Sequence, residues 1–228
     1  MHVIGIQGPY GSGKSTTAVV NALRWGYASG AKVFSNFPLR NAYLFDHYTD
    51  WYRIADVHGS ILIFDESQRN WDGRTWNSKA QIDQTHVINY VRKMNSLFVF
   101  VLPTFENLES RVRQQTDILI DCHRTRSGTI INHIYDFQAK EWGPKGKLLN
   151  KKIFPLHEQR KIWKLKLFST HSMINKFPTP PPNQTDKFFK ELDKRHNRAL
   201  RRIYGQQYLD IPTLAKDDLI YDDASDAG

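Results

Sequence analysis

The octapeptide Gly-Pro-Tyr-Gly-Ser-Gly-Lys-Ser at residues 8–15 constrains the fold of this chain more than any other stretch. Its glycines can adopt positive φ angles and turn backbone N–H groups toward anionic oxygens, which a Cβ atom would obstruct. Lys14 would bring a charge to the β- and γ-phosphates of a nucleotide, and Ser15 would offer a hydroxyl to Mg²⁺. An apolar run before the octapeptide predicts a strand, and the pattern after it predicts a helix whose positive end faces the same phosphates. A simple glycine-rich turn is the weaker alternative. We therefore predict an ATP site formed by the following residues: Gly8, Pro9, Tyr10, Gly11, Ser12, Gly13, Lys14, Ser15 and Thr16.

Two adjacent acids follow a second apolar run at residues 61–64. Four consecutive apolar residues between Gly59 and two acids are typical of a strand that helices cover on both faces. Ligands in open α/β sheets bind at the carboxyl ends of the strands, so we expect Asp65 and Glu66 beside the phosphate loop. From their order, Asp65 would hold Mg²⁺ and Glu66 would polarise a water molecule that attacks the γ-phosphorus. The second acid favours an ATP hydrolase over a small-molecule kinase, and a solvated turn is the alternative for the pair.

The apolar periodicity predicts an α/β fold in which helices flank a mainly parallel central sheet. We expect five core strands, at residues 3–7, 32–35, 61–64, 97–102 and 118–122. Helices are predicted at residues 14–29, in the second half of 41–57, at 82–95 and at 104–116. Residues 67–79 predict a loop or short helix over the site. A hairpin of strands 129–138 and 148–154 should extend the sheet, and residues 162–168 predict a further strand.

Three further residues are candidates for contact with the nucleotide. Thr104 follows the fourth predicted strand, where P-loop ATPases often place a polar residue that senses the γ-phosphate; a plain helix cap is the alternative. Arg111 and Arg113 fall on opposite flanks of the next predicted helix, so at most one can point at a given phosphate. Either would serve as an arginine finger that offsets charge on a neighbouring subunit's nucleotide. A surface ion pair with Glu106 or Glu109 is the alternative for at least one of them.

Positive charge is concentrated in the second part of the chain. The whole chain has a net charge of +9, whereas residues 145–204 carry 16 Lys and Arg residues against four acids, a net charge of +12. Residues 186–204 predict a helix whose outer face carries Lys187, Lys190, Lys194, Arg198 and Arg201. Such a surface raises the local concentration of phosphate groups, which favours double-stranded DNA as a partner. A solvated helix that packs on its own domain is the alternative.

Composition also predicts where the chain divides. The ATPase core, with the start of the hairpin, is expected at residues 1–143, and residues 144–182 would hold the rest of the hairpin and a Pro-rich linker. The basic amphipathic helix is expected at residues 183–204. Residues 205–228 contain six Asp and one Lys, which predicts a flexible acidic tail.

Cysteine content and hydropathy restrict the class of protein. Cys122 is the single cysteine, which excludes a disulfide framework and a cysteine-based zinc site. Neither a basic and apolar leader nor an 18-residue apolar stretch is recognised in the sequence. We therefore expect a non-spanning protein in a reducing, intracellular compartment.

Five segments together resemble the FtsK/HerA superfamily of P-loop ATPases: the phosphate loop, 33–39 (VFSNFPL), 63–66 (IFDE), 90–93 (YVRK) and 108–113 (LESRVR). Over residues 1–125, the chain is most similar to the genome-packaging ATPases of membrane-containing icosahedral viruses of the tectivirus and turreted archaeal virus type. It is less closely similar to zonular-occludens-toxin-like phage assembly proteins, which usually carry a membrane span after the ATPase domain. Relatives often have a Gln where this chain has Pro103 and Thr104, which leaves the sensor assignment open.

The resemblance implies a RecA-like core, ATP hydrolysis coupled to DNA translocation, and a homo-oligomeric ring, pentamer or hexamer, with the nucleotide at the subunit interface. We therefore expect a viral genome-packaging ATPase that uses ATP, Mg²⁺ and double-stranded DNA. Capsid-vertex or membrane proteins of a virion are further expected partners, and the host cytoplasm or a packaging vertex is the expected location. A zonular-occludens-like assembly or DNA-transfer ATPase, a P-loop kinase and a non-motor nucleotide switch are the alternatives.

Overall fold

The computed structural model describes residues 2–66, 89–108, 110–169 and 172–205. Its strands are β1 (Val3–Gln7), β2 (Lys32–Ser35), β3 (Tyr43–Leu44), β4 (Ser60–Phe64), β5 (Leu97–Leu102), β6 (Ile118–Arg124), β7 (Ile130–Asp136) and β8 (Lys147–Phe154). Its α-helices are α1 (Lys14–Ser29), α2 (Asp50–Val57), α3 (Ser110–Gln114), α4 (Leu156–Lys164) and α5 (Thr185–Tyr204). Short 3₁₀ helices lie at Phe105–Asn107 and Lys140–Trp142, and residues 89–93 are helical. The predicted loop at 67–79, most of the predicted helix at 82–95 and the acidic tail from residue 206 lie outside the described residues.

One sheet holds the described strands in the order β3-β2-β4-β5-β1-β6-β7-β8. From β3 to β6 in this order all neighbours are parallel, whereas β7 and β8 are added antiparallel. β5 separates β1 from β4. Because the carboxyl ends of parallel strands meet at the same edge of a sheet, the segments that follow β1 and β4 come together there. The predicted α/β class, the mainly parallel sheet and the appended hairpin are confirmed.

Helices cover both faces of the sheet and bury an apolar cluster on each. α1 packs on one face, among side chains that include Ile4, Ile6, Ile61 and Ile63. Val19, Ala22 and Gly26 of α1 are buried and Leu23 is half-buried, and Gly30 ends the helix with a φ of 73°. On the other face, Trp51 of α2 and Phe188 of α5 join the strand residues Phe64, Phe98 and Phe100. Within the described ranges, the helices fall short of the length and apolarity that a membrane span requires.

The helix predicted at residues 104–116 is wrong as one continuous element. A 3₁₀ turn at Phe105–Asn107 is followed by Leu108 in an extended conformation with a ψ of 141°, and α3 starts two residues later. The ring of Phe105 lies directly on β1, because a Cβ atom on Gly5 would be 2.4 Å from it. This contact holds the start of the segment against β1, so packing overrides the local helical preference. The apolar side chains of this segment are nevertheless buried: Phe105, Leu108 and Val112.

The strand predicted at residues 162–168 is also wrong. Alternation of Lys with apolar residues suits a strand, but the first part of this segment belongs to α4. The buried Gln159 amide of α4 donates to the Gly128 carbonyl oxygen at 2.9 Å, which ties the helix to the hairpin. Beyond α4 the chain turns at Lys166, whose φ is 48°, and Phe168 then forms a single antiparallel bridge with Leu39. Tertiary contacts therefore decide the structure of a segment whose local pattern favours a strand.

The Pro-rich stretch and the basic helix pack on the core. Phe177 is 4% exposed, and the Trp51 indole N–H donates to the Pro178 carbonyl oxygen at 3.1 Å. α5 then lies against α2, where Arg195 forms an ion pair with Asp56 at 2.6 Å. The stretch predicted as a linker is thus a packed segment, because its apolar residues contribute to the core. The domain boundaries themselves remain a prediction.

Two histidines at the contact between α2 and α5 make its stability depend on pH. The rings of His58 and His196 lie 5.5 Å apart, and each has a buried Nδ1 atom without a hydrogen-bond partner among the described residues. Burial lowers the pKa of both rings below the ordinary value of 6.5, and the pKa of His196 is lowered further by His58 and Lys93 and raised by Asp193. The unfolded chain therefore takes up protons at a higher pH than the folded chain. The free energy of unfolding should therefore fall as the pH drops below the unfolded value.

Urea denaturation above and below pH 6.5 measures this effect. His196→Gln should reduce the pH dependence, because it removes one of the two buried rings. His157→Gln is the control, since His157 is an exposed residue of α4 and its replacement should leave the pH dependence unchanged. Equal unfolding free energies for the wild-type chain at both pH values would contradict the expectation.

Candidate active site

The phosphate loop lies at the carboxyl end of β1 and continues into α1, as predicted. Its glycines Gly8, Gly11 and Gly13 have positive φ angles of 148°, 73° and 96°. A Cβ atom on Gly8 would lie 2.3 Å from the Cys122 carbonyl oxygen, so a side chain does not fit there. At the start of the helix, the Thr17 N–H donates to the Gly13 carbonyl oxygen at 2.8 Å. The first N–H groups of a helix have no acceptor within the helix, so they are available to an anion in the loop. The backbone thus has the form of an anion cradle.

The Lys14 ammonium group is held inside its own loop. It donates to the Pro9 carbonyl oxygen at 2.9 Å and lies 5.5 Å from the centroid of the Tyr10 ring. Burial lowers the pKa of Lys14, and the nearby Asp65 carboxylate partly offsets this effect. An anionic phosphate would supply further negative charge and stabilise the ammonium form. Lys14 is therefore placed to bind a nucleotide phosphate.

The sheet brings together Ser15 and Asp65, the two predicted ligands of Mg²⁺. The Ser15 hydroxyl donates to Asp65 Oδ2 at 2.6 Å, across 50 residues of sequence. Burial raises the pKa of Asp65, whereas the hydrogen bonds from Ser15 and from the Glu66 N–H lower it. A hydroxyl and a carboxylate suit a hard divalent cation, whose charge would stabilise the ionised acid. The donor set therefore fits Mg²⁺, and its binding stays a prediction.

Glu66 lies on the wall of the same cleft, in a tight turn after β4. Its backbone has a φ of 51°, in the left-handed region that residues other than glycine rarely adopt. Its N–H donates to Asp65 Oδ1 at 2.8 Å, so the neighbouring carboxylate fixes the turn. Backbone strain of this kind persists where the surroundings determine it, and it is found most often at functional sites. The turn leaves Asp65 facing Ser15 and places Glu66 one residue further along the cleft.

A cleft of about 1410 Å³ opens beside the loop. Besides the loop and the two acids, it is lined by a segment that we name the strap, residues 162–175, of which 170 and 171 lie outside the described residues. The strap starts within α4 and reaches the end of β2, where the Arg40 N–H donates to the Leu167 carbonyl oxygen at 2.8 Å. Part of the chain beyond the predicted core thus forms a wall of the nucleotide cleft.

Three cations on the cleft wall were not predicted as site residues: Arg40, Arg124 and Lys166. Arg124 ends β6 at the edge that carries the loop, and it donates to Gln159 Oε1 at 3.1 Å. Its position at the end of a core strand is a signal that could have identified it. Arg40 donates to the Leu165 carbonyl oxygen at 3.2 Å. Arg40 and Lys166 carried no such signal, because the packing of the strap brings them to the cleft.

The other predicted site residues, Thr104, Arg111 and Arg113, are not among the described residues that line this cleft. Thr104 is exposed and its side chain makes no capping bond to the following 3₁₀ turn, which argues against a plain helix cap. α3 leads toward the start of β6, and there the Gln138 side chain donates to the Gln114 carbonyl oxygen at 3.1 Å. Neither arginine therefore lies at the loop of its own chain. The sensor role and a finger role toward a neighbouring subunit stay predictions.

The chain has a phosphate loop after β1 and an acid pair after β4, and one strand lies between β1 and β4 in the sheet. This arrangement defines a P-loop NTPase with a RecA-like core. Residues 39–153 match the family model described as zonular occludens toxin (Zot). The match covers half of the chain, and the chain belongs to the zonular occludens toxin family. The resemblance to zonular-occludens-toxin-like P-loop ATPases that the sequence predicts is confirmed.

Three of the solved structures that resemble this chain differ from it strongly in sequence. The N-terminal domain of zonular occludens toxin from Neisseria meningitidis is 16% identical, with a TM-score of 0.48, over 82% of this chain and 97% of that chain. The genome packaging NTPase B204 from Sulfolobus turreted icosahedral virus 2, in complex with ATP-gammaS, is 14% identical, with a TM-score of 0.45, over 68% and 97% of the two chains. B204, the DNA-packaging ATPase from Sulfolobus turreted icosahedral virus, is 15% identical, with a TM-score of 0.46, over 68% and 98%. No curated protein sequence matches the chain.

Proposed function

We propose that this protein hydrolyses ATP with Mg²⁺ and couples the turnover to the movement of DNA, as a genome-packaging motor. The observation that carries the hydrolysis is the 2.6 Å hydrogen bond between Ser15 and Asp65, with Glu66 beside it on the cleft wall. A kinase that transfers phosphate to an acceptor does not need a second acid to activate water. The acid pair at the loop therefore favours hydrolysis.

Each residue of the site has a separate task in this proposal. The backbone N–H groups of the loop and the Lys14 ammonium group bind the β- and γ-phosphates. Ser15 and Asp65 would hold Mg²⁺, which would supply positive charge against the phosphates. Glu66 accepts a proton from the attacking water molecule. Arg111 or Arg113 of a neighbouring subunit would offset the charge that develops on the γ-phosphoryl group.

The outer face of α5 supports DNA as the partner. Its five predicted cations are all exposed: Lys187, Lys190, Lys194, Arg198 and Arg201. Arg195 and Arg202 bind Asp56 of α2 and so hold the helix against the core. A row of exposed cations on a docked helix can neutralise several phosphodiester groups at once. We propose a pentameric or hexameric ring on double-stranded DNA, with capsid-vertex or membrane proteins as docking partners, in the host cytoplasm or at a packaging vertex.

The family match favours a second candidate, a zonular-occludens-like assembly or DNA-transfer ATPase. The matched residues 39–153 include the acid pair, β6 and most of the hairpin but not the phosphate loop. Both candidates would use the same ATP site. The two candidates differ in the form of DNA that ATP turnover would move. A packaging motor should respond to duplex DNA, whereas a transfer ATPase that acts on one strand should respond to single-stranded DNA.

Phosphate release with and without DNA tests the proposal. Double-stranded DNA should raise the turnover several-fold, and the chain with bound ATP should have the mass of a closed ring. Stimulation by single-stranded DNA alone would favour the second candidate. Release that no DNA changes would contradict a motor and favour a nucleotide switch. Phosphate transfer to an acceptor, without release in water, would identify a kinase.

Charge reversal tests whether α5 carries the DNA. The double variant Lys187→Glu, Lys194→Glu should abolish the stimulation and flatten the salt dependence of DNA binding, with the log–log slope falling by about 0.9 for each lost contact. The matched control is Lys147→Glu, Lys152→Glu, since these lysines are exposed on β8, away from α5. If the control variant loses the stimulation and the α5 variant keeps it, DNA binds at the hairpin instead.

A further inference from the structure

Asn36 follows β2 at the edge that carries the nucleotide loop, and it is fully buried (0% exposed). Its side chain forms a reciprocal pair of hydrogen bonds with the main chain of Asp65. The Asp65 N–H donates to Asn36 Oδ1 at 3.0 Å, and Asn36 Nδ2 donates to the Asp65 carbonyl oxygen at 3.1 Å. Nδ2 also donates to the Asn175 carbonyl oxygen at 3.0 Å. Both hydrogens of the amide and its oxygen are therefore used.

These bonds continue the pairing of β2 and β4 beyond the ends of the two strands. The main-chain N–H of Asn36 donates to the Ile63 carbonyl oxygen at 3.2 Å. β4 ends at the next residue, and the chain then turns at Glu66 with a positive φ of 51°. The Asn36 amide takes the place of a neighbouring strand for Asp65, because it satisfies both main-chain polar groups of that residue. The main chain is thus fixed where the turn begins.

We propose that Asn36 is a positioning residue that holds the main chain of Asp65, so that Asp65 and Ser15 can bind Mg²⁺ together with the nucleotide. This inference rests on the proposed function, because it takes Asp65 as a residue of the metal site. Asn36 acts through Asp65 in this role and touches neither the metal nor the phosphates.

The same amide connects Asp65 to the strap. Asn175, at the end of the strap, donates its N–H to the Asn36 carbonyl oxygen at 2.8 Å and accepts the bond from Nδ2. Other residues of the strap, Trp163 and Phe168, line the cleft. Two of the three side-chain bonds of Asn36 go to Asp65, so a change at Asn36 should affect the metal site before it affects the strap.

Two substitutions at Asn36 and one control separate the effects. Asn36→Ala removes all three side-chain bonds and leaves main-chain groups of Asp65 buried without their partners. Asn36→Asp keeps the volume and the acceptor for the Asp65 N–H, but it replaces the two donors with one hydroxyl, because a carboxyl group buried beside two carbonyl oxygens keeps its proton. This variant loses one donated bond and leaves no cavity, so it should destabilise the chain less than Asn36→Ala. Asn132→Ala is the control, since Asn132 is a buried amide of β7 that bonds to Thr17 at 3.2 Å, on the far side of β1 from Asp65.

ATP affinity measured in EDTA, and again with Mg²⁺, gives the gain in affinity that the metal provides. In both Asn36 variants this gain should fall by about 10-fold or more, as when a residue that orients a metal ligand is lost. The affinity in EDTA should stay at the wild-type value, because the loop and Lys14 are unchanged. The Mg²⁺ concentration at half-maximal phosphate release should rise, while the KM for ATP at saturating Mg²⁺ stays the same. Asn132→Ala should keep the wild-type gain even if its melting temperature falls.

The outcomes distinguish this inference from the proposed function. Equal losses of ATP affinity in EDTA and in Mg²⁺ would show that Asn36 supports the whole loop, and an unchanged gain in both variants would show that it positions nothing; either overturns the inference. A wild-type chain that binds ATP with Mg²⁺ but releases no phosphate would overturn the proposed function alone, since the binding measurement still decides the role of Asn36. A wild-type chain without any Mg²⁺ gain would overturn both.

Discussion

Glu66→Gln should bind ATP like the wild-type chain and release phosphate about 100- to 10,000-fold more slowly, the usual effect of removing a general base. The substitution keeps the size of the side chain. It also keeps the turn, because the bond that fixes it runs from the Glu66 main-chain N–H to Asp65 Oδ1. Ser15, Asp65 and Lys14 are unchanged, so the residues proposed to bind phosphate and Mg²⁺ remain. The variant therefore removes the proposed proton acceptor and keeps the shape of the site.

Equilibrium ATP binding and phosphate release, measured on the same preparation, test this result. Glu141→Gln is the matched control, because Glu141 is an exposed acid in the 3₁₀ turn of the hairpin and the same charge change there should leave both quantities unaltered. A Glu66→Gln chain that turns over at the wild-type rate would assign the activation of water to another group. A chain that loses ATP binding would show that Glu66 shapes the loop.

Phe188→Ala should lower the free energy of unfolding by about 3–5 kcal/mol, because it leaves a cavity in a tightly packed aromatic cluster. Phe188 is 1% exposed, and its ring centroid lies 5.5 Å from Tyr52, 6.0 Å from Tyr48 and 5.1 Å from Phe189. The expected loss is a large fraction of the roughly 5–15 kcal/mol by which a domain is typically stable. Removal of α5 as a whole should therefore unfold the chain rather than produce a core without an arm.

Urea denaturation of Phe188→Ala measures the effect. Lys187→Ala is the control, because Lys187 is the neighbouring residue on the exposed side of α5. The control should change the unfolding free energy by less than about 0.5 kcal/mol, as surface substitutions usually do. If a chain shortened before α5 stayed folded with wild-type stability, α5 would be an independent arm. In that event the packing of Phe188 against α2 would contribute little.

The nucleotide site was largely predictable because its signals are local. The glycines and Lys14 stand at fixed spacing between a strand and a helix, and α1 has the predicted limits Lys14–Ser29. The position of Asp65 after an apolar strand predicted its place beside the loop, since strands of a parallel sheet end at one edge. The 2.6 Å contact between Ser15 and Asp65 agrees with that expectation. The catalytic roles of these residues remain predictions.

Other parts of the site depend on contacts between distant segments. The pairing of Asn36 with Asp65 follows from the β2–β4 register, in which Ser35 lies beside Ile63. The strap brings Arg40 and Lys166 to the cleft although they are far apart in sequence. The break before α3 likewise follows from the packing of a side chain on β1, because local helical propensity is a weak preference that packing overrides.

By itself, the sequence determined that this chain builds a phosphate loop on a parallel sheet and places two acids at the same edge, since backbone conformation and hydrophobic periodicity act over short stretches. The tertiary structure decided which residues surround that site: the buried Asn36 amide, the strap along the cleft and the docking of α5 on α2. These features depend on hydrogen bonds and side-chain packing between distant segments, such as the bonds from Asn36 to Asn175, 139 residues away, and from Arg202 to Asp56, 146 residues away. Local sequence patterns do not predict such pairings, which form only when the sheet and its helices assemble.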